Sequence, residues 1–212
     1  MKDIVIIGAG GFGREVAWLI EDINKNKLEW NIKGFIDDNP SLIGKLINGY
    51  KVIGDLAWLK KQNIYAACAI GNPITKKNII SKLNGTKVKY PVLIHPSVIK
   101  SDIIKVGEGT IICAGNILTV NIEVGKHVVI NLDCTIGHDV KIKDYSTVLP
   151  GVNISGYAIL EECVSVGTSS AIIQGIKIGK NTIIGANSAI VKDLPKNCIA
   201  VGVPARPIKF NH

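Results

Sequence analysis

The chain has 212 residues, 47% hydrophobic, 20% charged and only 5% aromatic, with a net charge of +8. That hydrophobic share excludes a disordered chain, and no apolar run approaches the ~20 residues of a membrane helix, so a soluble protein without membrane insertion is expected. The surplus lysines are dispersed, with Lys60-Lys61 and Lys76-Lys77 read as solvated helix faces. Dispersed charge argues against a nucleic-acid partner and for small polyanions such as nucleotides. Five cysteines (Cys68, Cys113, Cys134, Cys163 and Cys198) contain no CxxC pair. Such spacing indicates neither a disulfide framework nor a zinc site, and it fits a reducing, cytoplasmic compartment.

In chain order, Ile4 to Gly8 read as a buried strand rather than a signal peptide, because the apolar run is short. It leads directly into Gly8-Ala9-Gly10-Gly11-Phe12-Gly13. A helix is expected from Glu15 to about Ile23, with Val16, Leu19, Ile20 and Ile23 on one face. A second strand, Ile32 to Ile36, ends in Asp37-Asp38. A third, Tyr65 to Ile70, ends in Gly71-Asn72-Pro73, where Asn72 can cap a helix and Pro73 suits its first turn. Alternating strands and helices predict a small Rossmann-like α/β domain over residues 1–90. Ligands of such sheets collect at the carboxyl ends of the strands, where the glycine loop, the aspartates and Gly71 would gather. Gly8, Gly10 and Gly13 satisfy G-x-G-x-x-G, and Asp37 lies near the place of a ribose-binding acid, which points to NAD. The sheet is too short for a dinucleotide, however, so a mononucleotide-sized ligand fits better. A purely conformational need for the glycines stays open.

The second half is governed by a repeat. From Val106 to Ile190 every sixth residue is aliphatic, fifteen in succession without a slip. Four residues after each stands a second series, mostly small or β-branched, such as Thr110, Val128, Cys134, Ser146, Ala158, Ser170 and Ser188. Glycine often follows the first series, as at Gly107, Gly125, Gly137, Gly167, Gly179 and Gly185, and is read as relaxing a corner. A period of six fits neither a helix nor a flat strand; it fits short strands and tight corners coiling into a prism. The pattern resembles the hexapeptide repeat of left-handed β-helix acyltransferases, in which three hexads make one coil. That resemblance implies an all-β left-handed parallel β-helix over residues 91–194, followed by a cap or tail at 195–212. It stacks residues eighteen apart at about 4.8 Å. Fifteen hexads give five coils, with Ile94 and Val98 pointing to a partial coil before them.

Of the four histidines (His95, His127, His138 and His212), His138 stands out, in Ile136-Gly137-His138-Asp139. The segment from Asn131 to Val140 resembles the active-site rung of bacterial sugar acetyltransferases, the group of bacillosamine-type nucleotide-sugar N-acetyltransferases and sialic-acid O-acetyltransferases. Matching segments are the Gly8–Gly13 loop, Phe35-Ile36-Asp37-Asp38, Ile94-His95-Pro96 and Val201-Gly202-Val203-Pro204-Ala205. The resemblance implies His138 as general base, Asp139 as its orienting carboxylate and Gly156, eighteen residues on, as an oxyanion donor through its N–H. It implies acetyl-CoA contacts at Thr147, Thr168 and Ala186. Nucleotide-sugar contacts are implied at Gly10, Gly11, Phe12, Asp37, Asp38 and Gly71, with Asn131 helping to hold the sugar. Acetyl-CoA is the implied co-substrate, with no metal, and the assembly a homotrimer serving surface-glycan synthesis. His95 is expected to be structural, at the domain junction. Sialic-acid O-acetylation, a non-catalytic nucleotide-binding scaffold and an NAD-binding regulator are the alternatives.

Overall fold

The computed structural model describes residues 1–210; Asn211 and His212, the end of the expected tail, lie outside the described residues. In the first part of the chain, β1 (Lys2–Ile7), β2 (Trp30–Ile36), β3 (Leu46–Ile47), β4 (Tyr50–Gly54) and β5 (Tyr65–Cys68) form one sheet in the order β3-β4-β2-β1-β5. All its pairings are parallel except that of β3 with β4. Three helices accompany it: α1 (Gly11–Asn26), the single turn α2 (Leu56–Leu59) and α3 (Pro73–Lys82). Val16, Ala17, Leu19 and Ile20 give α1 its apolar face, buried with Ile4, Ile6 and Phe35. Asn72 caps α3 by accepting from the Thr75 N–H at 2.9 Å, and Pro73 occupies its first turn. The β3–β4 hairpin is absent from the sequence reading, although Asn48-Gly49, both left-handed, is a recognisable two-residue turn.

The second part is a left-handed parallel β-helix of two-residue strands, from β6 (Leu93–Ile94) to β22 (Ala189–Ile190), closed by β23 (Cys198–Gly202) and β24 (Ala205–Phe210). Strands eighteen residues apart pair in parallel, as Ile117 with Thr135 and Thr135 with Asn153. They form three faces, of eight, six and five strands. The second residue of each strand points inward, and Ile112 through Ile190 at sixfold spacing are buried in one continuous core. Each such side chain contributes roughly 1.5–3 kcal/mol by leaving water. Leu93–Ile94 and Ile99–Lys100 precede Lys105–Val106, the first of the fifteen hexads, and form the partial coil before the five complete ones.

From Gly109 to Asn187 the corners follow one rule. The last corner residue but one is left-handed, giving a column on each edge: Asn121, Asp139, Tyr157 and Gly175 on one, His127, Tyr145, Cys163 and Asn181 on another. The glycines directly after the inward aliphatic are not left-handed, which corrects their expected role. They are needed for clearance: a Cβ on Gly137 would sit 2.7 Å from the Gly156 nitrogen, and one on Gly167 2.5 Å from the Ala186 nitrogen. Buried hydroxyls join successive coils. Ser146 Oγ donates to Glu161 O and accepts from Val164 N, and Thr110 does the same with Gly125 O and Val128 N. Such buried hydroxyls stay in place because both their hydrogen-bonding capacities are met.

The first domain lies against the eight-stranded face. Leu93, Ile111 and Cys113 share a core cluster with α1 and β1. His95 joins the two parts, with Nε2 3.0 Å from Asp22 Oδ2 and Nδ1 2.8 Å from Ser97 Oγ. Lys76 of α3 overturns its expected solvated place: it is only 1% exposed and donates to Thr147 Oγ1 (3.0 Å) and Ser146 O (3.3 Å). Burial pushes its ammonium down to about 7. Lys77, its neighbour, pairs with Glu162. Among the described residues no helix is long and apolar enough to cross a membrane.

Candidate active site

The residues singled out from the sequence divide among the three edges of the prism. His138, Asp139 and Gly156 occupy the edge between the six- and five-stranded faces. Asn131, Thr168 and Ala186 occupy the edge between the eight- and six-stranded faces. The third edge, with His127, Tyr145 and Cys163, adjoins the first domain. Thr168 and Ala186 are exposed, one coil apart. Thr147 is not: its side chain is buried and its hydroxyl accepts from Lys76. The expected acetyl-CoA contact there is therefore corrected, since the chain's own first domain covers that side chain.

At the His138 corner the imidazole is half exposed, with Nδ1 2.9 Å from Asp139 Oδ2. An ionised carboxylate only accepts, so Nδ1 carries the proton and the Nε2 lone pair is left free. Asp139 suits the left-handed corner that aims it, and its second oxygen accepts from Asn121 Nδ2 of the preceding coil at 3.3 Å. A Cβ on Gly156 would fall 2.5, 2.6 and 2.9 Å from three ring atoms of His138. The flat of the imidazole thus lies against this glycine. Gly156 has no positive φ, so its backbone conformation is not what demands glycine. Tyr157, which the sequence reading passed over, donates its N–H to His138 O at 2.9 Å and sets its ring perpendicular to the imidazole, centroids 5.0 Å apart.

At the carboxyl end of the first sheet, Gly10 caps α1 without a side-chain bond. A Cβ on Gly10 would meet nothing within 4 Å, and one on Gly11 only an Arg14 nitrogen at 3.8 Å. The N-terminus of α1 is consequently open, as anion binding by backbone N–H groups requires. Gly13 is different: a Cβ would meet Gly8 O at 2.0 Å, so this glycine serves the close approach of helix to strand. Phe12 packs partly into the core under α1. Asp37 accepts from Ala9 N (3.0 Å) and Asn39 N (2.9 Å), and Asp38 from Leu56 N (2.9 Å). Both aspartates brace the loops in addition to lining a cleft of about 170 Å³ with Gly8. A larger groove, about 610 Å³, begins at Gly71 and Asn72. It runs from Leu149, at the edge between the eight- and six-stranded faces, over Ser165 and Ile183 of the eight-stranded face to Cys163, Asn181 and Asn197 on the third edge. His138 does not line it.

A Rossmann-like sheet with an open glycine loop, joined to a β-helix bearing a carboxylate-held histidine on an exposed edge, defines an acyltransferase of the hexapeptide-repeat class. The PglD N-terminal domain matches residues 3–83. GDP-perosamine N-acetyltransferase of Escherichia coli O157:H7 is 29% identical over 213 residues, covering 96% of this chain and 95% of its own length. The structure of a histidine-to-asparagine variant of perosamine N-acetyltransferase from Caulobacter crescentus, in complex with CoA and GDP-perosamine, superposes with a TM-score of 0.90. It is 26% identical and covers 99% of this chain and 98% of its own. WeeI from Acinetobacter baumannii AYE is 30% identical with a TM-score of 0.88, covering 98% of this chain and all of its own. The chain belongs to the hexapeptide-repeat sugar acetyltransferases, in the group of the nucleotide-sugar N-acetyltransferases.

Proposed function

We propose that the protein transfers an acetyl group from acetyl-CoA to an amino group of a nucleotide-linked deoxyamino sugar. The observation that carries this reading is the likeness over nearly the whole chain to GDP-perosamine N-acetyltransferase. The relative solved with CoA and GDP-perosamine supports it. In this mechanism the sugar amine attacks the thioester carbonyl carbon, forming the C–N bond, and its proton passes to Nε2 of His138. Asp139 holds Nδ1–H, fixes the tautomer and offsets the positive charge that forms on the ring. Negative charge develops on the carbonyl oxygen, where the Gly156 N–H is the donor. Collapse breaks the C–S bond, and the imidazolium returns the proton to the departing thiolate. The products are the N-acetylated sugar and CoA, with no acyl-enzyme.

In the same reading Gly10, Gly11, Gly71, Asp37 and Asp38 hold the nucleotide sugar, with Phe12 shaping the loop. Thr168 and Ala186 flank the donor, and Asn131 the sugar. Because the groove beside Gly71 and the His138 edge lie on different sides of one prism, a complete site needs a second copy, His138 of one facing the groove of the next. Repeated head to tail, that contact closes into a ring, and three copies match the threefold prism. A nucleotide-linked sugar is an activated building block, so we assign the product to surface-glycan synthesis, with the enzyme working in the cytoplasm.

The test is incubation with acetyl-CoA and a panel of GDP-, UDP- and dTDP-linked 4-amino-4,6-dideoxy sugars, followed by thiol release and product mass. Release with at least one amine, giving its N-acetyl product, is expected. Release only with sialic acid, or with no nucleotide sugar at all, would overturn the reading.

A further inference from the structure

The left-handed corner position is one that small or short polar residues fill easily, and asparagine, aspartate, serine and glycine hold most of these corners. Three large rings depart from this: His127, Tyr145 and Tyr157. The first two have an evident reason, since they stack on each other at 5.5 Å with rings 6° apart, under Tyr90 at the seam with the first domain. Tyr157 has no such seat. It is 55% exposed, and the aromatic neighbour its ring meets is the imidazole of His138. A large side chain kept in an unfavourable backbone conformation, without burial in its own chain in return, marks a functional constraint at the edge or across it.

We propose that Tyr157 is a positioning residue for the transfer, its ring bracing the His138 imidazole so that Nε2 keeps one direction. Asp139 fixes the ring at Nδ1 and Gly156 supports its flat side. Those two contacts leave the imidazole free to rock about the hydrogen bond to Asp139, and the perpendicular ring of Tyr157 blocks that motion. The contact is made by the ring and not by the phenol oxygen, so phenylalanine should serve as well as tyrosine. The inference rests on the acetyl-transfer reading with His138 as base.

The test compares Tyr157→Asn, Tyr157→Phe and His138→Ala in steady-state acetyl transfer, with sedimentation and thermal unfolding of each. Asparagine suits the corner, so Tyr157→Asn should unfold at the same temperature as the parent or higher. Its kcat should fall about ten- to a hundredfold, the cost of a misplaced base, with both KM values within about twofold. Tyr157→Phe should stay within about twofold of the parent. Parent-like kcat in Tyr157→Asn, a Phe variant as poor as the Asn variant, or loss of the assembled state in Tyr157→Asn would each overturn the proposal. Retained turnover in His138→Ala would instead strike at the underlying mechanism, so the two failures are distinguishable.

Discussion

Two histidines of the prism each meet a tyrosine from the following coil, and they occupy opposite environments. His127 is buried at the seam between the two parts of the chain, stacked flat on Tyr145, and its Nδ1 has no partner among the described residues. Burial pushes its pKa down to about 4. His138 stands on an open edge, its Nδ1 held by Asp139 and its ring perpendicular to Tyr157. The two corners share a repeat and a residue type. What separates them is whether the first domain covers the edge and whether a carboxylate is in reach. A histidine in this fold is thus sealed into the packing or left with a free ring nitrogen on an open edge, according to its surroundings.

The largest expected break in this symmetry comes from deleting each imidazole. His138→Ala should lose about 10²–10⁴-fold in turnover, the usual contribution of a positioned base, with its unfolding temperature nearly unchanged. His127→Ala should do the reverse, losing on the order of 2–4 kcal/mol in urea unfolding, as buried large-to-small changes do, while the folded fraction keeps parent-like turnover. Comparable turnover losses in the two variants would remove the distinction.

A subtler pair of substitutions adds a methyl group under each ring. Gly156→Ala places a carbon where the His138 imidazole lies, so turnover should fall about ten- to a hundredfold through displacement of the base. Gly109→Ala puts one 2.2 Å from His127 Nδ1 at a residue with φ of +70°. There the expected loss is stability, roughly 1–3 kcal/mol, without a change in kcat. Steady-state kinetics beside denaturant titration separate the two outcomes. A normal kcat for Gly156→Ala would mean that the imidazole can move aside and still work.

The smallest effect lies in the pH dependence of stability. His127 has an ordinary pKa of 6.5 when unfolded and about 4 when folded, so the unfolded chain binds the extra proton between these values. Stability should therefore be full above pH 6.5 and decline as the pH drops through 4, by on the order of 1–3 kcal/mol. Lys76, depressed from 10.5 to about 7, has the same sign at higher pH: stability should rise from pH 7 towards 9. Above pH 9 the buried thiols of Cys68 and Cys113, both pushed up to about 12, reverse that trend, because only the unfolded chain then loses their protons. Urea midpoints from pH 4 to 9 for the parent, His127→Phe and Lys76→Met should show each slope flatten in its own variant. A slope unchanged in its variant would assign it to other groups.

Most of the prism was legible because its inward position admits only aliphatic side chains, so the core writes its period directly into the chain. The partial coil before Val106 is written less plainly, because Lys100 holds that position in the strand Ile99–Lys100, at the open end where an amphipathic chain can reach water. Lys76 could not be read as buried from its own helix. The groups that enclose and bond it, Ser146 and Thr147, lie about seventy residues away. His138 and Asp139 were legible as a motif, and their contact is local. The division of the candidate residues among three edges was not, since a period of six gives the columns but not which face the first domain covers. Tyr157 gave no sequence signal, because its meaning depends on a backbone angle.

The eighteen-residue register also makes the chain's length count in steps. Inserting or removing one whole turn of eighteen residues above the His138 rung would leave each column intact and merely lengthen or shorten the column of the prism. A change of six between His138 and Gly156 would rotate everything above by one third of a turn, carrying Gly156 away from the imidazole it supports. A change of one residue would have to be extruded at a corner as a loop, or it would exchange inward and outward side chains in every strand that follows. Variation in size is thereby confined to whole turns and to excursions at the edges, and the machinery at one rung constrains the arithmetic of the rungs around it.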